Sequence, residues 1–197
     1  MGRLVFVLGG ARSGKSRFAQ EYAWAEAGED VLYVATATVT DDEMTTRVAR
    51  HREDRPAAWE TVELPLWAGE TLLARGALPP VIVLDCLTLL LSTPAFTDAN
   101  LTAEAVEAHA TAEVDGLVRL ASVHSGTLIV VSNEVGMGMH PDYPLGRIYR
   151  DAFGRANQRI AAHADAAYFL LAGIALDLTK LRAALPVASS HNMGRGK

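Results

Sequence analysis

Short apolar runs punctuate the chain at residues 4–8, 31–35, 81–84, 127–132 and 166–171. Each is apolar at consecutive positions rather than alternate ones, and several are rich in Val and Ile. Strands of a parallel sheet covered on both faces read this way. Longer segments with helical periodicity lie between them. Residues 15–27 form one such segment, closing at Gly28 as a C-cap. A second opens on Thr40-Asp41-Asp42-Glu43, a capping box with Thr40 as N-cap, and must stop before Pro56. Residues 102–124 place Val106, Ala110, Val114, Leu117, Val118 and Ala121 on one face and end near Gly126. Pro144 opens a fourth helix, from about 145 to 163. The alternation of strand and helix predicts an α/β fold with a mostly parallel, doubly wound central sheet and right-handed crossovers. There is no internal repeat and no second domain. Residues 1–185 are expected to form the domain and 186–197 a flexible tail with little to bury.

Composition narrows the partners. At 197 residues the chain is long enough for one well-buried core. The net charge of −5 leaves no broad cationic surface, so nucleic acid is not an expected partner. Any phosphate must then be held by a local site. The lone cysteine, Cys86, excludes an internal disulfide and a cysteine-rich zinc site. No run approaches the roughly 18 apolar residues of a membrane span, and the first apolar stretch is too short for a secretory signal. A cytoplasmic location is expected.

The first strand runs into Gly9-Gly10-Ala11-Arg12-Ser13-Gly14-Lys15-Ser16, which satisfies G-x-x-x-x-G-K-[ST] at every fixed position. Gly9 and Gly14 permit backbone conformations that a Cβ forbids, so successive N–H groups can turn toward phosphate oxygens. Lys15 offers a compact positive charge to the outer phosphates, and Ser16 a hydroxyl suited to Mg²⁺. The following helix contributes its positive N-terminal end. This is a P-loop, and it is expected to bind a nucleoside triphosphate. Such sites also need a carboxylate at the end of a neighbouring strand to hold the metal. Asp85, closing Val81-Ile82-Val83-Leu84, supplies it; a buried-edge carboxylate capping a turn is the plainer alternative. Cys86 has no basic neighbour in sequence and reads as a small packing residue.

A nucleotide-binding core alone does not separate motor, switch, kinase and transferase. Four further segments narrow the choice. Ala35-Thr36-Ala37 ends the second strand and leads into the helix on which Met44, Arg47, Val48 and His51 share a face. A histidine one turn from an arginine can attack phosphorus while the arginine steadies phosphate oxygens; by spacing alone it can equally be packing or solvated surface. Thr88 sits just beyond Asp85. Ser132-Asn133-Glu134-Val135-Gly136-Met137-Gly138 follows a strand and should face the crevice at the carboxyl ends of the sheet. Arg147, Arg150, Asp151 and Asn157 crowd one helix, as a site or as a solvated face.

Together, GGARSGKSRFAQ, YVATA, DDEMTTRVARHREDRPAAWET, VLDCLTLLL, VSNEVGMGMHP and GRIYRDAFGRANQRIAAHAD resemble the bifunctional adenosylcobinamide kinase/adenosylcobinamide-phosphate guanylyltransferases of cobalamin assembly. The resemblance runs from about residue 4 to residue 173. It implies phosphorylation of the aminopropanol hydroxyl of adenosylcobinamide by ATP or GTP, followed by GMP transfer from GTP to that phosphate. It places the family's guanylylated histidine on His51 and implies Arg47 as the stabilising cation, with Arg50 or Arg55 as alternatives. Thr36, Glu63 and Asp85 join Gly9 to Ser16 as implied nucleotide contacts, Ser16 and Asp85 as implied Mg²⁺ ligands. A homotrimer is also implied. The rival expectations are another P-loop small-molecule kinase, or a nucleotide-dependent switch.

Overall fold

The computed structural model describes residues 2–38, 55–97 and 102–183. Seven strands, β1 (Arg3–Gly9), β2 (Val31–Ala35), β3 (Glu60–Glu63), β4 (Val81–Asp85), β5 (Thr127–Asn133), β6 (Ala166–Leu171) and β7 (Ile174–Asp177), form one sheet in the order β3-β2-β4-β5-β1-β6-β7. Every pairing is parallel except β6 with β7. The expected α/β fold with a doubly wound, mostly parallel sheet is therefore the fold observed.

Alternate strand residues enter two separate cores, as the pleat requires. Leu4, Phe6, Leu32, Val34, Ile82, Leu84, Leu128 and Val130 face one side. There they meet α2 (Ala68–Ala74), α3 (Leu87–Thr97), α4 (Ala103–Val123) and α5 (Pro144–His163). Val5, Val7, Tyr33, Val83, Ile129 and Val131 face the other side, against Ala19 and Ala23 of α1 (Lys15–Ala27) and the indole of Trp59. Burial on both faces explains why the central strands carry no polar alternation. Thr102 caps α4 by accepting from Ala105 N, and Pro144 occupies the first turn of α5. Gly146 and Gly154 do not break that helix, because Tyr149, Ala152, Phe153, Ala156 and Ile160 anchor its apolar face.

Four elements lay outside the expected set. β3 is polar (Glu60-Thr61-Val62-Glu63) because it is a short edge strand, half solvated. α2 is too short for a periodic signal. α3 follows β4 almost without a break, and its near-uniform apolarity hides the boundary; Leu87, Leu90 and Leu91 are all buried. β7 turns back from β6 through Ala172 (φ 49°) and Gly173 (φ 81°). Positive φ at both central residues is what a tight hairpin needs. The helix expected from Thr40, and the tail 186–197, lie outside the described residues.

Candidate active site

The P-loop is built by the exit of β1 and the entry of α1. Gly9 is required by space: an added Cβ would lie 2.6 Å from Ser13 Oγ and 2.7 Å from the Leu170 carbonyl oxygen. Gly14, at φ 95°, is required by conformation. Arg12 also takes a left-handed conformation, at φ 56°. Ser13 N donates to Gly10 O at 3.3 Å and Lys15 Nζ to the same carbonyl at 3.0 Å, so the loop curls around its own centre. Lys15 is held against the loop at 8 % exposure. Ser13 Oγ is buried without a hydrogen-bond partner among the described residues. The hairpin tip closes the far side, with Gly173 N donating to Ser13 O at 2.9 Å. A cleft of about 330 Å³ remains between residues 10–13 of the loop, residues 169–172, Glu134 and Met137.

All six parallel strands end at the same edge of the sheet, where Gly9, Asn133, Asp85 and Glu63 sit in the order of their strands. Asp85 is not on the strand beside β1, as the sequence reading supposed: β5 intervenes. The Asp85 carboxylate accepts from Tyr33 Oη at 2.7 Å. Burial, reinforced by that carboxylate, raises the Tyr33 pKa well above its ordinary value, so the phenol stays a donor. The Arg55 guanidinium stacks over the Tyr33 ring, 4.0 Å from its centroid.

Thr36, fully buried, staples β2 to the turn after β4. Its Oγ1 donates to Cys86 O at 2.7 Å and accepts from Cys86 N at 2.8 Å, while its own N–H reaches Asp85 O. Burial pushes the Cys86 thiol pKa up, which keeps it protonated and suits a packing role. Glu63 and Asp85 flank Ala35 in register. At about 4.8 Å per strand, four strand spacings separate β3 from β1, roughly 19 Å. The structure thus gathers Thr36, Glu63 and Asp85 on one half of the edge and the P-loop on the other. Ser16 lies in the first turn of α1. His51, Arg47 and Arg50 lie outside the described residues.

The segment after β5 fills the space between the two halves. Ser132 Oγ donates to Asn157 Oδ1 at 2.6 Å, and Asn157 Nδ2 donates to Asn133 O at 3.0 Å. Asn133 Nδ2 in turn reaches Thr88 Oγ1 at 2.7 Å. Glu134 N donates to Gly9 O at 3.0 Å, and its carboxylate accepts from Gly136 N at 2.5 Å. Arg150 donates to Gly136 O, and Arg147 to the carbonyls of Pro141 and Asp142. The polar face of α5 is therefore a brace for this loop rather than an idle solvated surface. Glu134 lies in the loop expected to face the crevice, although the sequence assigns it no individual role. Its position directly after a strand of the parallel sheet was the available signal.

Oxygen donors at the loop and at Asp85 suit Mg²⁺, a hard cation that keeps several waters and takes few protein ligands. No cluster of three or more His, Cys, Asp or Glu side chains occurs among the described residues, so a dedicated all-protein metal cage is not built there.

Comparison with known proteins places the chain in a family. Relatives include the bifunctional adenosylcobalamin biosynthesis proteins CobU of Escherichia coli K12 and CobU of Salmonella typhimurium. They are 35% and 36% identical over 183 residues, covering 89% of this chain and 99% of theirs. The corresponding protein CobP of Pseudomonas aeruginosa is 39% identical over 172 residues, covering 87% of this chain and 95% of its own. Among solved structures, the flagellar accessory protein FlaH of Methanocaldococcus jannaschii aligns at a TM-score of 0.45 and 14% identity, over 88% of this chain and 75% of that one, too distant to bear on function. The family described as cobinamide kinase / cobinamide phosphate guanyltransferase matches residues 5–178, and the chain belongs to that family.

Proposed function

We propose that this protein carries out two successive transfers on one corrinoid. In the first, the aminopropanol hydroxyl of adenosylcobinamide attacks the γ-phosphorus of ATP or GTP. The bond from that phosphorus to the β–γ bridging oxygen breaks, nucleoside diphosphate leaves, and the hydroxyl proton is released. In the second, an imidazole nitrogen of His51 attacks the α-phosphorus of GTP and pyrophosphate departs. A phosphate oxygen of adenosylcobinamide phosphate then displaces the histidine, forming adenosylcobinamide-GDP as the P–N bond breaks. Splitting one hard transfer into two easier ones is the gain from the covalent step.

The observation that carries this reading is a fully formed P-loop in a chain that the family matches over residues 5–178. Gly9, Gly10, Ala11, Arg12, Ser13, Gly14, Lys15 and Ser16 would cradle the phosphates, Lys15 placing its charge on the outer ones. Ser16 and Asp85 would hold Mg²⁺, which supplies neutralisation of phosphate charge when bound. Tyr33 orients the Asp85 carboxylate for that role. Thr36 and Glu63 complete the proposed nucleotide set on the β2–β3 half of the edge. Arg47 is proposed to stabilise charge at the α-phosphorus, with Arg50 and Arg55 as the alternatives. No helix among the described residues is long and apolar enough to cross a membrane; a cytoplasmic homotrimer is the proposed form.

The test is incubation with GTP labelled at the α-phosphorus, followed by denaturation. A phosphoramidate is acid-labile and base-stable. Label that acid removes, base spares and His51→Ala lacks supports the guanylyl-transfer half. Absence of label in the unaltered protein leaves a P-loop kinase and overturns the role of His51.

A further inference from the structure

The phosphoryl transfer to a hydroxyl needs somewhere to put a proton, and neither Lys15 nor Asp85 is placed to take it. Lys15 is a cation pressed into the loop. Asp85 lies one strand further away, on β4, with its carboxylate engaged by the Tyr33 hydroxyl. Among the described residues lining the cleft beside residues 10–13, the ionisable ones are Arg12 and Glu134, and Glu134 is the acid.

Three contacts fix Glu134 at that wall. Its N–H is bonded to Gly9 O, the residue where β1 becomes the P-loop, so its backbone moves with the loop. Its carboxylate accepts from Gly136 N, which leaves further lone pairs directed at other donors. Gly136 is also gripped through its carbonyl by Arg150 of α5. A side chain on Gly136 would crowd the carboxylate, since an added Cβ would lie 2.9 Å from Glu134 Oε1. The opposite wall, Phe169, Leu170, Leu171 and Ala172, is mostly apolar and offers no competing base.

Resting on the kinase reading above, we propose that Glu134 is the general base of the phosphoryl-transfer step. Its carboxylate accepts the proton of the acceptor hydroxyl as that oxygen bonds to the γ-phosphorus and the β–γ bridge breaks toward the leaving diphosphate. The protonated Glu134 returns its proton to solvent through the open mouth of the cleft. A second consequence separates this role from a structural one. The acceptor of GMP is a phosphate monoester, already ionised at neutral pH, and its attack needs no base. Loss of Glu134 should therefore fall on the step with a hydroxyl acceptor.

The experiment compares the full-length protein with Glu134→Gln and Glu134→Asp, each checked for fold by thermal unfolding. Phosphorylation of cobinamide by ATP, nucleotide Kd, and GMP transfer from GTP to cobinamide phosphate supplied ready-made are measured in parallel. General-base catalysis is worth about 10²–10⁴-fold, so kcat for phosphorylation should fall by that order in Glu134→Gln. Nucleotide Kd should move by less than about threefold, and GMP transfer should fall far less than phosphorylation. Glu134→Asp, which keeps a carboxylate, should recover part of the phosphorylation that Glu134→Gln loses. Equal loss of both transfers, unchanged phosphorylation, or weakened nucleotide binding with a raised Mg²⁺ requirement would each overturn the assignment. If the unaltered protein phosphorylates no corrinoid at all, the kinase reading itself falls, and the variants are not needed to see it.

Discussion

Asn157 offers a direct test of how the site is held. It is 7 % exposed on α5, and its amide spans two partners on β5: Oδ1 accepts from Ser132 Oγ at 2.6 Å, and Nδ2 donates to Asn133 O at 3.0 Å. Ser132 is fully buried, so its hydroxyl depends on Asn157 for its acceptor. Each buried group left unsatisfied costs about 1–3 kcal/mol. Asn157→Ala strands the buried Ser132 hydroxyl and a part-buried carbonyl, so the expected loss is about 1–3 kcal/mol from the hydroxyl plus a smaller contribution from the carbonyl. Ser132→Ala removes the donor and strands only Asn157 Oδ1, for about 1–2 kcal/mol. Because the two residues share one bond, the double variant should be less destabilised than the sum, by about 1 kcal/mol. Urea unfolding monitored by tryptophan fluorescence reads this directly: the midpoint falls while the slope m is unchanged. A midpoint shift in Asn157→Ala worth less than about 0.5 kcal/mol, or strict additivity in the double variant, would refute the reasoning. Asn157 would then be a spectator.

Three further outcomes are expected. Gly9→Ala should abolish nucleotide binding while leaving a folded protein, since its Cβ must displace Ser13 Oγ and the Leu170 carbonyl, both part of the loop's frame; retained affinity by titration would show that the loop tolerates that shift. Lys15→Ala should weaken triphosphate binding by tenfold or more, on the roughly 1.5–3 kcal/mol of a hydrogen bond to a charged group, and should lower both transfers; loss of only one would mean that two different triphosphate sites operate. Glu113 is 1 % exposed on α4, beside His109, and accepts from the N–H of Trp67; burial raises its pKa above the ordinary 4.5. A raised folded pKa contributes stability that is full below the unfolded value and lost as pH rises through the folded one. Glu113→Gln removes that loss, so its Tm relative to the unaltered protein should improve between pH 4.5 and neutrality, and an unchanged difference would contradict the assigned cause.

The parallel sheet, the P-loop and the long helices were legible in the sequence because burial on both faces, capping residues and phosphate chemistry each leave a local signature. β3 was not, because a half-solvated edge strand carries no apolar run. α3 was not, because the apolar stretch from Val81 onward does not change composition where strand becomes helix. Asp85 could be read as a carboxylate ending a strand, but strand order is a tertiary property, and only the fold shows β5 standing between it and the P-loop. Glu134 and Asn157 belong to the same class. The sequence placed both in candidate segments, but their partners depend on which strand lies beside which, and no spacing along the chain encodes that.

The place of β1 also sets an order of events. It precedes the other six strands of the sheet, yet both its neighbours, β5 and β6, lie more than 110 residues further along the chain. The hairpin tip that closes the P-loop, through Gly173, arrives 160 residues after Ser13. At about 5–20 residues per second of synthesis, the phosphate-binding sequence waits many seconds for the segments that give it shape. A chain stalled before β6 would carry every residue of GGARSGKS and still lack the frame of a nucleotide site. Nucleotide capture is thus a report of assembly: the loop becomes functional only once β5, β6 and the hairpin tip have closed around it.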